Sequence, residues 1–219
     1  METALSSLSR RGRALLALAV LGGAWLPAAH GFTVAISSGS RALFLQVGAG
    51  TMTGGYFSNG GTPGNNATIN TVSVTVPATQ LGSGAALPMT TDSTVTRSPW
   101  EGYAFCDSPA TTGEVYVGGF YRAPGGNSNT ATLTVSTPPN LISNGGDTIP
   151  FHRIAWTSTG NGDATPTIPA GAFTGGAQTL LSVGRNTWFE SCLAFRYLNT
   201  QLVPAGSFSG RATYTLSAP

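Results

Sequence analysis

Apolar residues in this chain recur at every second position in short runs, and clusters of turn-forming residues separate one run from the next. Phe32, Val34 and Ile36 alternate with Thr33, Ala35 and Ser37, and Leu43, Leu45 and Val47 repeat the pattern after Ser38-Gly39-Ser40. Val72, Val74 and Val76 alternate with Thr71, Ser73 and Thr75 in the most regular run of all. A period of two sends successive side chains to opposite faces, which is the signature of a half-buried strand. Further strands are expected at 103–106, 114–121, 130–136, 151–157, 179–183, 187–197 and 211–217. The stretch 187–197 is long enough to be argued as a helix, but Trp188, Phe189, Phe195 and Tyr197 suit a strand better. Between these runs, 48–70, 123–129, 137–150 and 159–176 are dense in Gly, Pro, Asn and Asp and read as loops. No segment joins helical periodicity to a cap and a run of strong helix formers. The pattern therefore predicts an all-β, antiparallel sandwich, with a barrel as the second choice.

One internal echo supports the same class. Ile168-Pro169-Ala170-Gly171-Ala172-Phe173-Thr174-Gly175 matches Val203-Pro204-Ala205-Gly206-Ser207-Phe208-Ser209-Gly210 at an offset of thirty-five. Proline fixes φ, glycine permits a tight turn, and the Phe two residues later can turn back into the core. Each copy reads as a corner leading into a strand.

The N-terminus carries a different signal. Arg10, Arg11 and Arg13 precede an apolar run from Ala14 to Leu26, too short and Gly-broken for a membrane span, and Ala29-His30-Gly31 places small residues before a cut. Residues 1–31 are expected to be a signal peptide, with a mature domain at 32–219 and no transmembrane segment in it. Ser9-Arg10-Arg11 leaves the twin-arginine route as an alternative to the Sec route. Such a chain is exported, passing through the periplasm to the cell surface or medium. Of ten basic and eight acidic residues, three Arg and one Glu leave with the signal, so seven of each sign remain and the formal charge is zero. That balance removes the electrostatic ground for nucleic-acid binding. Cys106 and Cys192 are the only cysteines, and an even count in an exported chain predicts a disulfide.

Residues able to do chemistry are few. His152 is the only histidine of the mature chain and is expected on a strand, at the surface or hydrogen-bonded. Glu101, Asp107, Glu114 and Glu190 lie close to aromatics and are the candidates for a glycosidase carboxylate pair; the plainer reading pairs them with Arg122, Arg153 or Arg196 or leaves them facing water. Asp147 and Asp163, in Asn144-Gly145-Gly146-Asp147 and Asn161-Gly162-Asp163, read either as calcium-binding loop oxygens or as Asx turns. Trp100, Trp156 and Trp188 are candidate glycan contacts, since an aromatic face suits a sugar ring, although large aromatics of a sandwich also serve as core. No catalytic residue, metal site or cofactor is assigned, and the expected class is non-enzymatic.

The last fourteen residues, from Gly206 to Pro219, resemble the C-terminal strand of chaperone-usher pilus subunits and of the related spore-coat-U-like domains. Ala205-Gly206 forms the corner, Gly206 stands fourteenth from the end, and Phe208, Ala212, Tyr214 and Leu216 alternate on one face. The chain departs from the pilins at Ala218, where they usually carry an aromatic, and in the wide spacing of its cysteines. The resemblance implies an immunoglobulin-like sandwich completed by strand addition, with a periplasmic chaperone, an usher and like subunits as partners. It makes Phe208, Ala212, Tyr214 and Leu216 the chaperone-contacting strand. Residues 32–40, with Phe32, Val34 and Ile36, become an N-terminal donor strand. The implied role is a structural or adhesive surface protein of a fimbria; a monomeric carbohydrate-binding module, with glycans as partners, and a carbohydrate-active enzyme are the alternatives.

Overall fold

The computed structural model describes residues 34–106, 113–126, 129–163 and 165–219. The expected signal peptide, Phe32 and Asp107 lie outside the described residues. Fifteen strands follow one another: β1 (Ala42–Val47), β2 (Thr53–Tyr56), β3 (Val72–Ser73), β4 (Ala86–Pro88), β5 (Thr90–Thr91), β6 (Glu114–Arg122), β7 (Ala131–Ser136), β8 (Asn140–Ser143), β9 (Thr148–Pro150), β10 (Ile154–Thr159), β11 (Gly171–Ala172), β12 (Ala177–Val183), β13 (Thr187–Leu198), β14 (Phe208–Ser209) and β15 (Thr213–Ser217). Every pairing between them is antiparallel.

A seven-stranded sheet in the order β11-β10-β13-β6-β1-β2, with β4 also on β13, faces a three-stranded sheet in the order β12-β7-β15. Strand β7 shows how sequence becomes layer: Ala131, Leu133 and Val135 are fully buried while Thr132, Thr134 and Ser136 point away. Opposite them stand Leu43 of β1, Val115, Val117 and Tyr121 of β6, and Phe189, Leu193 and Phe195 of β13, and Leu216 of β15 joins the same core. Each buried side chain of this kind contributes roughly 1.5–3 kcal/mol. Two separately hydrogen-bonded sheets around one core make a sandwich, so the barrel alternative is not what forms.

Several boundaries differ from the sequence expectation, for identifiable reasons. Val72, Val74 and Val76 do turn toward the core, but only Val72–Ser73 pairs, with Thr90–Thr91. Side-chain alternation reports burial, whereas a strand also needs a partner backbone. Residues 103–106 make a single bridge, Ala104 with Arg97, in place of a strand. Phe151–Arg153 forms one 3-10 turn before β10, so His152 sits exposed on a turn and not on a strand. The stretches 48–70, 137–150 and 159–176 contain β2, the β8/β9 hairpin and β11 within what composition marks as loop. The echoed corners both end in short edge strands: β11 joins β10, and β14 joins β8. Phe173 is buried, and Phe208 packs half-buried against the same core. No helix among the described residues is long and apolar enough to cross a membrane.

Candidate functional site

The outer face of the large sheet, turned away from the main core, carries the unusual chemistry. Register places Phe44 of β1 opposite Phe120 of β6, and Phe120 opposite Trp188 of β13. On the same face Gly118 stands opposite Glu190 and Tyr116 opposite Cys192. In most antiparallel sheets such a face is polar and wet. Here residues 93–106 fold over it.

That covering loop is tied down at both ends of its turn. Ser98 N–H donates to the Tyr103 carbonyl, Gly102 N–H to the Ser98 carbonyl and Phe105 N–H to the Thr96 carbonyl. Gly102 takes φ +76, a left-handed conformation that a side chain disfavours. Cys106 bonds to Cys192 with the Cα atoms 5.7 Å apart, as expected, and the two sulfurs form a small second core with Phe105, Tyr116 and half-buried Val95. Glu114 also lies beside these cysteines, but thiols joined in a disulfide are not metal ligands.

The loop carries Trp100 onto the aromatic row. Its ring lies 5.7 Å from Trp188 and 5.6 Å from Phe120, and Phe120 stacks on Phe44 at 4.9 Å. Trp100 remains 55% exposed and Tyr56, at the far edge, 69%. Between them opens a groove of about 420 Å³ lined by Phe44, Met52, Tyr56, Trp100, Phe120 and Arg122. The Arg122 guanidinium sits over the Tyr56 ring at 5.3 Å and donates from Nε to the Ser40 carbonyl.

Of the three tryptophans expected at a glycan site, only Trp100 presents a face. Trp188 is 1% exposed beneath it, and Trp156 is 2% exposed in the main core, where its Nε1 donates to the Pro169 carbonyl and its ring packs on Phe173. Trp156 and Trp188 are therefore corrected from ligand contacts to packing residues. Hydrophobicity and ring size are alike at all three positions, and only register and loop placement separate them.

Behind Trp100 lies a group of carboxylates. Glu190 projects from β13 and is fully buried; Glu101 follows Trp100 on the covering loop, and Asp163 comes from the turn after β10. One oxygen of each lies within 4.8 Å of the others. The Tyr116 hydroxyl donates to Glu190 Oε2 at 2.9 Å. Its ring reaches there across Gly118, where a Cβ would collide with the hydroxyl. Burial first, and then the facing Asp163, push Glu190 up to about 8, although Ser98 and Tyr116 beside it favour the charged form. Burial and Asp163 also raise Glu101, and burial with Glu190 raises the Tyr116 phenol. Glu190 thus neither meets an arginine nor faces water, against the plainer expectation. Asp163 belongs to this group rather than being a simple turn residue, whereas Asp147 stays within its own hairpin, its backbone N–H donating to Ser143 Oγ at 3.0 Å.

The residues tied to strand addition fall as follows. Val34 and Ile36 are half-buried and lie in no strand; Gly39 N–H donates to the Ala123 carbonyl and Asn186 donates to the Ser38 hydroxyl. Ala212 and Tyr214 pack half-buried against the core beside buried Leu216, with Phe208 in the separate strand β14. Strand β15 pairs with β7 on one side, and on the other, among the described residues, only Ala218 bridges to Gly61. Comparison with family models, with curated proteins and with solved structures finds no match for this chain.

Proposed function

We propose that the chain is an exported, non-catalytic adhesive protein that binds glycans in the aromatic groove on the outer face of its large sheet. The observation that carries this reading is Trp100. A large apolar ring at 55% exposure is held in place by Trp188 and Phe120 beneath it and by a loop joined to the sheet through Cys106–Cys192. A fixed aromatic face loses little conformational freedom when a sugar ring stacks on it. Tyr56 offers a second ring across the groove, and Arg122 supplies donors for hydroxyl oxygens. Residues 32–219, with seven Arg against seven Asp and Glu, carry no net formal charge, which suits a neutral ligand. Glycosidase chemistry is disfavoured because the candidate acid Glu190 lies fully buried beneath the loop, out of reach of a bond to be cleaved.

The test is retention of the mature, oxidised protein in native gels cast with neutral polysaccharides, followed by Trp100→Ala. Stacking on one ring is worth about 0.5–1.5 kcal/mol, so the variant is expected to bind about two- to tenfold more weakly; its urea midpoint is followed alongside, because Trp100 also packs on Trp188 and Phe120. Wild-type protein retained by no polysaccharide, or a Trp100→Ala protein retained equally, defeats the reading.

A second reading rests on a separate observation. Among the described residues, strand β15 has no partner along most of its outer edge, and Val34 and Ile36 stand outside every sheet. An open edge and an unpaired alternating segment are the two halves of strand addition, as in pilus subunits, with chaperone, usher and like subunits as partners.

A further inference from the structure

Glu101 and Asp163 come from two different loops, and two half-buried loop carboxylates mean little by themselves. Glu190 is the independent observation. It is fully buried on the central strand of the sheet, and while its Oε2 accepts from Tyr116, its Oε1 has no donor. Glu101 Oε1 and Asp163 Oδ2 are likewise buried and without a donor. Among the described residues, the groups acting on Glu190 are Asp163, Ser98 and Tyr116, and the one acting on Glu101 is Asp163; none of them is basic. Buried carboxylates persist when they are neutral, paired with a cationic side chain, or bound to a metal; free of metal, Glu190 is the neutral case, and a cation bound there displaces its proton.

We propose that Glu101, Asp163 and Glu190 form a binding site for a hard divalent cation, calcium. The donor set is oxygen only, which disfavours zinc and copper and their preference for nitrogen and sulfur. Calcium accepts six to eight oxygens in tolerant geometry, suited to ligands gathered from two loops and a strand, whereas magnesium demands a near-ideal octahedron. The Ser98 hydroxyl stands at Glu190, and the half-exposed Glu101 and Asp163 leave a side open for water to complete the shell. A bound ion joins the covering loop, the turn after β10 and strand β13 at one point. Cation binding is independent of what occupies the aromatic groove and is measured without any glycan.

The experiment strips the mature, oxidised protein with chelator and titrates it with calcium chloride alone, read by calorimetry and by thermal melting. One ion per chain is expected, with Kd in the range of about 10⁻⁴–10⁻³ M found for extracellular modules. At about 10 mM calcium the Tm rises by roughly 3–10 °C. Glu190→Gln retains an acceptor for Tyr116 while removing one ligand charge, and loses both the heat and the shift. Asp163→Asn lies on a turn outside the sheets, so its fold survives, and it binds calcium at least about tenfold more weakly. Wild-type protein without heat or shift, an Asp163→Asn protein that binds calcium as tightly as wild type, or zinc binding in preference to calcium overturns the site.

Discussion

Tyr116, Gly118 and Glu190 show how three residues in register make one polar contact inside an apolar layer. Gly118 leaves room for the Tyr116 ring, and the hydroxyl reaches Glu190 Oε2 on the neighbouring strand. Tyr116→Phe removes the donor and leaves a second buried oxygen of Glu190 bare. Such a loss costs about 1–3 kcal/mol, read as a lower midpoint in urea. In protein stripped of divalent cations, Glu190 also makes stability depend on pH. Folded, it keeps its proton to about pH 8; unfolded, it loses it around its ordinary value of 4.5. The folded state therefore binds more protons across that window, so stability falls as pH rises from about 4.5 to about 8 and then levels off. The groups facing Glu190 are Asp163, Ser98 and Tyr116, with Glu101 beside Asp163. Urea melts are expected to show a lower midpoint at about pH 8.5 than at about pH 5, and Glu190→Gln to flatten the difference. Equal midpoints for the wild type at both pH values would contradict this account.

The element that matters most is the covering loop. Its disulfide closes a sequence separation of 86 residues, and a link of that span restrains the unfolded chain by about 4–5 kcal/mol in the chain-entropy account. Replacing Cys106 and Cys192 together by Ala is expected to lower stability by about that amount and to free Trp100 from Trp188, seen as a red shift in its fluorescence. A double variant as stable as wild type, with unshifted emission, would show that the loop is held by its own turns alone. Strand β13 was legible as a strand from its aromatics but not as a central one. Its run from Trp188 to Leu193 is buried without interruption because the core covers one face and the loop the other, which erases the alternation that marks a half-buried strand. Conversely 71–76 alternates cleanly yet pairs over two residues only, since partner supply is not written in a strand's own sequence.

At the scale of the whole molecule, β15 stands at the edge of its three-stranded sheet, beside β7. Strand addition predicts polymers and a stability that rises with protein concentration, because the neighbour completes the sheet. Deleting residues 32–40 from the mature protein is then expected to abolish polymers while leaving the monomer soluble; polymers of wild-type length, or an intact protein that stays monomeric at all concentrations, would remove that reading and leave glycan binding by a monomer.

Alternation and turn residues were enough to determine an antiparallel all-β chain, because the period of two is a local property of the backbone and needs no knowledge of neighbours. Cysteine count was enough for the disulfide. The meeting of Glu101, Asp163 and Glu190, residues 62 and 27 positions apart in sequence order, was not legible, because it arises from register across β10, β13 and β6 and from a loop folded over them. The same holds for the three tryptophans, equal as side chains. Which one faces water was decided only when the sheets packed, since burial is a property of the assembled layers and not of the residue.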